Sequence, residues 1–461
     1  MSMSCGRLAG RARALREKSG AELSAMFGKW AALPAGFGAP ERKRLFFPSR
    51  TFWLFLSQVL SADRSCRETL QRFLAWLALA GRKASARTAG YCRARARLRL
   101  ADLDEVRAGL ARKIRAAHLP RVLWFGRPVK VVDGTGLSMP DAPANQKQWP
   151  QSKRAKKGCS FPVMRVVALF CLGTGVLIDL AKASLAVSER ALFRALWPLL
   201  EPGDVVLADR GFCGFAEFFS LSRLGVDCVM RSHARRTVGV TVLKRLGRGD
   251  RLILWHKSKS APRWPAKPVW RAFPETLAVR EIRFRVAVRG FRTRSITLAT
   301  TLLDAARFPA GAFADLYRRR WQAELFLRDI KTTMGMDVLR CKTPEMVEKE
   351  LAMHLIAYNL VRLTMLEAAQ KAGVPVERLS FKGTLAAIRS WAPILAGVGE
   401  RRRRALWAFL LDSLARDPLV CRPDRVEPRA RKRRPKNYQL LNKPRRVFKE
   451  TGHRNKYVKA A

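Results

Sequence analysis

Two short runs of β-branched residues in the middle of the chain each end on an aspartate. The first covers residues 128–133 and the second residues 204–209, and each precedes a turn that contains glycine, Asp133-Gly134-Thr135-Gly136 and Asp209-Arg210-Gly211. Glycine has no Cβ, so a substrate or a metal shell can approach the backbone closely. One aspartate in this position often only begins a turn. Two of them after buried strands predict a common acidic crevice.

The elements around these runs follow the order strand, hairpin, helix, strand, helix, strand. The hairpin is predicted from two apolar runs, residues 163–172 and 176–180, that Gly173-Thr174-Gly175 joins. Residues 188–200 and 215–224 have helical apolar spacing, with Ser188 as the N-cap of the first helix, and residues 227–231 form a further strand. This order predicts an α/β fold with a ribonuclease H-like mixed sheet.

Helical patterns flank this core on both sides. Residues 1–120 are predicted to be a helical DNA-end-binding domain, 121–345 the ribonuclease H-like catalytic core, 346–420 a C-terminal helical region, and 421–461 a basic, disordered tail. A β-rich stretch at about residues 235–300 is predicted to be an insertion into the core. The DNA-end role depends on Arg93, Arg95, Arg97 and Arg99, for which a solvated basic helix face is an equal alternative.

The chain carries a large excess of positive charge. It has 90 Lys and Arg against 36 Asp and Glu, a net charge of +54. Residues 421–461 contribute +12 of this, which leaves +42 on residues 1–420. A positive excess spread over the folded body predicts a polyanion held along a long path, because each basic side chain on a phosphate releases a counterion. On composition alone, a ribosome-associated basic protein is the alternative.

No membrane partner and no secretion signal are predicted. The longest apolar stretch, residues 166–178, is short and contains Gly173-Thr174-Gly175, and the early arginines have no apolar stretch after them. None of the nine cysteines forms a CxxC pair, which argues against a zinc site or a disulfide framework. These features predict a cytoplasmic protein.

Four reactive side chains are predicted to share one face of a helix. Tyr317, Arg320, Glu324 and Lys331 are spaced by 3, 4 and 7 residues, which at 3.6 residues per turn places them on one stripe. A carboxylate for a cation and a hydroxyl, a guanidinium and an ammonium for phosphate oxygens suit a metal-bound phosphate. On spacing alone, a solvated face with an Arg320–Glu324 ion pair is an equal alternative.

The spacing Tyr317-x2-Arg320-x3-Glu324-x6-Lys331 resembles the Y-R-E-K signature of the insertion sequence 4 family of DDE transposases. Trp321 and the segments at residues 131–135 and 208–212 also resemble family members. The resemblance covers roughly residues 120–365. It implies a ribonuclease H-like fold with a β insertion between the second aspartate and the glutamate, for which the 115 residues from Asp209 to Glu324 leave room.

The resemblance also implies a chemistry. Asp133, Asp209 and Glu324 would be the catalytic residues and would bind two Mg²⁺ ions, for which Mn²⁺ can substitute. Such a pair, about 3.5–4 Å apart, neutralises the attacking and leaving oxygens of a phosphodiester. Tyr317, Arg320 and Lys331 would hold the phosphate backbone at the cut end. Further DNA contacts are predicted at Arg210, Lys153, Arg154, Lys156 and Lys157.

The predicted function is that of a bacterial, nucleoid-associated transposase. It would bind the terminal inverted repeats of an insertion sequence, cleave them by two-metal hydrolysis and join the 3′ ends to target DNA. Family members act as homodimers bridged by double-stranded DNA. The alternatives are a ribonuclease H-like nuclease without strand transfer and an inactive DNA-binding relic of a transposase.

One family feature has no predicted counterpart. Some family members use hairpin-ended intermediates, and a well-known relative stacks a tryptophan late in its insertion on a flipped base. Residues 283–303 contain only Phe284 and Phe291 as aromatics, while Trp255, Trp264 and Trp270 come earlier. A stacking residue is therefore not assigned.

Overall fold

The computed structural model describes residues 22–37, 45–79, 81–152, 161–233, 240–285, 295–420 and 447. Lys153, Arg154, Lys156 and Lys157 lie outside the described residues, as does the predicted tail apart from Val447. Within the described part of the chain, no helix is long and apolar enough to cross a membrane.

In the described residues, five α-helices precede the sheet. They are α1 (Glu22–Phe27), α2 (Pro48–Leu60), α3 (Cys66–Leu79), α4 (Ala89–Arg97) and α5 (Leu100–His118). Helices α4 and α5 meet at Leu98 and Arg99, whose ψ angles of 133° and 135° are extended and interrupt the helical path. Arg95 is buried, with its guanidinium 4.5 Å from the centre of the Phe55 ring, so it is not part of a solvated basic face. Arg93 and Arg97 are exposed.

Within the part of the chain that the structure describes, nine strands form one sheet in the order β3-β2-β1-β4-β5-β9-β8-β7-β6. Their bounds are β1 (Val129–Ser138), β2 (Val163–Cys171), β3 (Leu177–Ser184), β4 (Val205–Ala208), β5 (Asp227–Arg231), β6 (Thr241–Gly247), β7 (Asp250–His256), β8 (Thr276–Arg285) and β9 (Ser295–Thr300). The pairs β1–β4 and β4–β5 are parallel, and the others are antiparallel. The ribonuclease H-like mixed sheet predicted from the order of elements is confirmed.

The β-rich stretch after β5 continues the same sheet. Strand β9 pairs with β5, and β8, β7 and β6 follow outward, so the core sheet has no free edge at β5. The chain between β7 and β8 contains a short helix, α9 (Lys267–Arg271).

Helices cover both faces of the sheet. The remaining ones are α6 (Pro143–Gln148), α7 (Glu189–Ala195), α8 (Phe215–Arg223), α10 (Ala310–Arg319), α11 (Trp321–Arg328), a π-helix (Asp329–Thr333), α12 (Pro344–Ala372), α13 (Phe381–Gly397) and α14 (Glu400–Arg416). Short 3₁₀ helices occur at Ala35–Phe37, Leu119–Arg121, Trp197–Leu199 and Val376–Arg378. The predicted N-cap is confirmed, since the Ser188 hydroxyl accepts a hydrogen bond from Ala191 N.

Side-chain alternation divides the core into two layers. Val131 and Leu207 pack in the cluster that contains α11 and α12, whereas Val132 and Ala208 pack against α7 and α8. Successive side chains of a strand point to opposite faces. Asp133 and Asp209, two positions after Val131 and Leu207, therefore belong to the face that α11 covers.

Candidate active site

The two aspartates lie at the carboxyl ends of neighbouring parallel strands. Val131 of β1 is opposite Leu207 of β4, so two residues further along Asp133 and Asp209 emerge at the same edge. The turn predicted after Asp133 is absent, because β1 continues to Ser138 through pairs with β2 that end at Ser138 and Val163. The turn after Asp209 is present, since β4 ends at Ala208.

Each aspartate is held by a backbone N–H. One carboxylate oxygen of Asp133 accepts from Gly134 N at 2.9 Å, and one of Asp209 accepts from Gly211 N at 2.7 Å. A Cβ at Gly211 would lie 2.9 Å from that Asp209 oxygen. The glycine therefore leaves room for the Asp209 carboxylate itself.

The electrostatic environment of Asp133 shows which acids are close to it. Burial raises the pKa of Asp133 to about 6, and the charges of Glu324 and Asp209 act in the same direction. The Gly134 N–H and the Arg320 guanidinium oppose the shift. Glu324 and Asp209 thus lie within electrostatic reach of Asp133, while burial is the main cause of the raised pKa of Asp133.

The four signature residues lie on three consecutive helical pieces. Tyr317 belongs to α10, Arg320 is the residue between α10 and α11, Glu324 lies in the first turn of α11, and Lys331 is in the π-helix. Arg320 has helical dihedral angles, so the axis continues through it. A π-turn is a wider turn that often occurs at functional sites, and it could not be predicted from 3.6-residue spacing.

Contacts with the sheet position these helical pieces. The Lys331 ammonium donates a hydrogen bond of 2.7 Å to Thr135 Oγ1, on the same face of β1 as Asp133. Burial raises the pKa of Tyr317, with a smaller contribution from Asp209, while Arg320 and Arg231 lower it. Tyr317 therefore lies near both the second aspartate and Arg231, at the end of β5.

Glu324 forms an ion pair with Arg320. The Arg320 Nη2 atom donates to Glu324 Oε1 at 2.9 Å, and the Arg320 side chain is 16% exposed against 39% for Glu324. Among the described residues, no group of three Asp, Glu, His or Cys side chains lies close enough to hold a metal ion. The Arg320–Glu324 ion pair, which the spacing alone left as the alternative, is therefore present, and the shared pair of metal ions stays a prediction.

The donor chemistry of these acids fits a divalent cation. Mg²⁺ and Mn²⁺ take oxygen ligands, and all three acids supply carboxylate oxygens from separate elements. Burial makes the ionised form of Asp133 unfavourable, which a cation would reverse. The three acids are therefore suited to a divalent cation. In this structure the Glu324 carboxylate is bonded to Arg320 instead.

The structure adds neighbours that the sequence patterns missed. Thr135 and Arg231 have no motif of their own, and only the pairing of strands brings them to the signature residues. On the opposite face of β1, the Glu189 side chain lies against Gly134, where a Cβ would stand 2.7 Å from its carboxyl carbon. Arg210 is exposed directly after Asp209, as a predicted DNA contact should be.

Comparison with known proteins agrees with this geometry. The sequence profile of the transposase DDE domain matches residues 124–360, just over half of the chain. The chain is similar to the transposase InsG of insertion sequence element IS4 from Escherichia coli K12, with 29% identity over 327 residues that cover 70% of this chain and 72% of InsG.

Two further likenesses are shorter or weaker. The transposase of insertion sequence element IS421 from Escherichia coli is 36% identical over 64 residues, 14% of this chain and 17% of the relative. A chain of the piggyBac transposase synaptic complex with hairpin DNA aligns over 85% of this chain and 82% of its own length, at 9% identity and a TM-score of 0.43.

The DDE domain match spans Asp133, Asp209 and Glu324, and InsG covers most of the same chain. This domain goes with DNA binding, DNA cleavage and divalent metal use. The family inferred from the four-residue signature is thereby confirmed. The chain belongs to the insertion sequence 4 family of DDE transposases.

Proposed function

We propose that this transposase cleaves the ends of its own insertion sequence and joins the freed 3′ ends to target DNA, with Asp133, Asp209 and Glu324 as the ligands of two Mg²⁺ ions. The observation that carries the proposal is the placement of the elements. Asp133 and Asp209 follow neighbouring parallel strands at one edge of the sheet, and Lys331 of the signature helices bonds to Thr135 beside Asp133. The three carboxylates come from β1, the loop after β4 and α11. Acids that converge from separate elements, one of them with a raised pKa, gain most from a divalent cation.

The ions, when bound, supply positive charge for the attacking and leaving oxygens of the phosphodiester. The side chains of the signature helices bind and orient the DNA. Lys331, held on Thr135, donates to a phosphate oxygen beside Asp133. Arg320 exchanges the Glu324 carboxylate for a phosphate, which frees Glu324 as a ligand, and Tyr317 donates its hydroxyl to the same backbone.

The partners follow from charge and exposure. Double-stranded DNA with terminal inverted repeats is the first substrate and target DNA the second, and a second copy of the chain completes a DNA-bridged dimer. The net charge of +42 on residues 1–420 supports a long DNA path. Arg93 and Arg97 on α4 and Arg210 beside Asp209 are exposed and available to phosphates. The basic residues 153–157 are further proposed contacts.

The test uses duplexes that carry the inverted repeats flanking the gene, either uncut or pre-cut, with a supercoiled target and Mg²⁺. Asp133→Asn, Asp209→Asn and Glu324→Gln should each abolish cleavage and joining and retain DNA binding, because the amide keeps the shape and loses the charge. Asp315→Asn, a change in an exposed ion pair on α10, is the matched control.

Each outcome identifies a different function. Near-normal cleavage by any one of the three variants removes that residue from the site. Cleavage by the wild type without joining of pre-cut ends identifies a nuclease. Specific binding without cleavage or joining identifies an inactive DNA-binding relic.

A further inference from the structure

One arginine of the N-terminal region bonds to the chain directly after the signature segment, residues 317–333. Arg64, in the loop between α2 and α3, donates from Nη1 to the carbonyl oxygens of Met334, at 3.0 Å, and of Gly335. These carbonyls directly follow the π-helix that carries Lys331. Arg64 has a φ of 57°, in the left-handed region that a residue with a side chain adopts only when its surroundings hold it there.

The loop around Arg64 supplies that constraint. The Ser61 hydroxyl accepts a hydrogen bond of 2.8 Å from Arg64 N, and Gln58 Nε2 donates to Arg64 O at 3.0 Å. A second hydrogen bond joins the same two regions with donor and acceptor reversed, since Arg340 Nη1 donates to Asp63 O of the loop at 2.7 Å. The loop is therefore tied both to α2 and to the chain that follows the signature segment.

Gln58 extends the connection to α4. Its Oε1 atom accepts from the Tyr91 hydroxyl and from Arg95 Nη1, both at 2.8 Å. Tyr91, Arg95 and Gln58 are all buried. A continuous path of hydrogen bonds thus joins α4, whose outer face presents Arg93 and Arg97, to Arg64 and on to Met334.

The far end of this path is bonded to the π-helix that carries Lys331. The Lys331 carbonyl accepts from Asp337 N at 3.2 Å, and that of Ile330 accepts from Met336 N at 3.2 Å, so the turn on which Arg64 acts is bonded to the π-helix itself. A guanidinium at the carboxyl end of a helix also complements the partial negative charge there.

We propose that Arg64 is a positioning residue that couples α4 to the signature segment. When α4 binds a DNA end, this coupling positions Lys331 and Glu324 next to Asp133. The inference rests on the proposed function, in which α4 contacts the element end. Arg64 touches no reacting atom. It acts through the carbonyls of Met334 and Gly335.

Arg64→Gly is the informative change. Glycine adopts a φ of 57° without strain, so the loop keeps its path while the guanidinium is lost. We expect an unchanged or higher Tm, affinity for element ends within about twofold of the wild type, and single-turnover cleavage at saturating DNA reduced by about tenfold or more, since a misplaced catalytic group is costly. Arg64→Lys should recover part of the rate, because an ammonium can donate to the same carbonyls. Arg67→Ala, which removes an exposed arginine of α3, is the charge control.

Tyr91→Phe tests the same path from its other end. It deletes one hydroxyl and keeps the ring, so the protein should fold normally even if Arg64→Gly does not. Its loss of cleavage rate should be smaller than that of Arg64→Gly. The double variant should lose no more than Arg64→Gly alone, because both changes interrupt the same connection. Additive losses would overturn the coupling.

The remaining outcomes are distinct. Wild-type cleavage by Arg64→Gly overturns the inference. A fall in Tm that accompanies the rate loss, without recovery in Arg64→Lys, assigns Arg64 a purely structural role and also overturns it. Failure of the proposed function is seen separately, as cleavage by Asp133→Asn, and does not depend on any change at Arg64.

Discussion

Replacement of Asp133 by asparagine is expected to stabilise the metal-free protein while it abolishes cleavage. Burial raises the pKa of this carboxyl group from 3.8 to about 6, and the charges of Glu324 and Asp209 add to the effect. An ionised Asp133 at neutral pH therefore lowers the free energy of unfolding. Asparagine has the same shape and no charge, so it removes this penalty and also removes the ligand.

The size of the effect follows from the shift in pKa. About two pH units correspond to about 3 kcal/mol, at 1.36 kcal/mol per unit. Water reaches this half-buried carboxyl group and screens it, which reduces the figure to about 1–2 kcal/mol. In a protein of 461 residues, that is a rise in Tm of about 1–2 °C.

The sign of the pH dependence is fixed by the direction of the shift. Because the folded protein holds the Asp133 proton more tightly than the unfolded chain, the free energy of unfolding falls as the pH rises from about 4 through about 6. Asp133→Asn lacks this fall. The variant should therefore exceed the wild type in Tm by the full amount above about pH 7 and by little near about pH 4.

Scanning calorimetry in EDTA at several pH values measures the difference. Addition of Mg²⁺ should then raise the Tm of the wild type and leave Asp133→Asn nearly unchanged, because a ligand that binds only the folded state stabilises it. Asp315→Asn, an exposed aspartate, should show neither effect. If Asp133→Asn is no more stable than the wild type at neutral pH, or if its advantage persists at about pH 4, the reasoning about Asp133 is wrong.

Three further predictions concern the loop after β4, the signature segment and salt. Gly211→Ala should lower single-turnover cleavage about tenfold and leave DNA binding unchanged, because a Cβ there lies 2.9 Å from an Asp209 carboxylate oxygen. The control is Gly109→Ala, because a Cβ at Gly109 meets nothing within 4 Å. Thr135→Val should lower cleavage less than Lys331→Met does, since it loosens the ammonium without removing it, and equal loss would contradict a positioning role for Thr135. In filter-binding titrations, affinity should fall steeply with salt, and deletion of residues 421–461 should reduce the slope but keep preference for the element ends; loss of all preference would place end recognition in the tail.

The core of the fold could be predicted because its elements are local patterns. The run of β-branched residues at each strand, the glycines between β2 and β3 and the Ser188 cap depend on a few neighbouring side chains. The end of β1 could not be predicted in this way. Gly134-Thr135-Gly136 has the composition of a turn, but pairing with β2 through Ser138 holds it in the sheet, and long-range hydrogen bonds outweigh local preference.

The candidate site could likewise be predicted only in part from the sequence. The residue types and spacing of Tyr317, Arg320, Glu324 and Lys331 are written in the sequence, and the family follows from them. Their partners are not. The burial that raises the pKa of Asp133, the bond from Lys331 to Thr135 and the ion pair of Arg320 depend on which strands are neighbours and which helix covers them.

Arg95 and Arg64 show the same limit most clearly. In the sequence, Arg95 is one of four alternating arginines and Arg64 belongs to no motif. In the fold, Arg95 is buried and donates a hydrogen bond to Gln58. Arg64 donates to the carbonyl oxygens of Met334 and Gly335, about 270 residues away along the chain. The sequence by itself determined the family, the candidate acids and the charge, because these depend on residue type and short spacing. Only the tertiary structure decided which arginines face solvent and which connect the N-terminal helices to the site, because burial and distant contacts are properties of the packed chain.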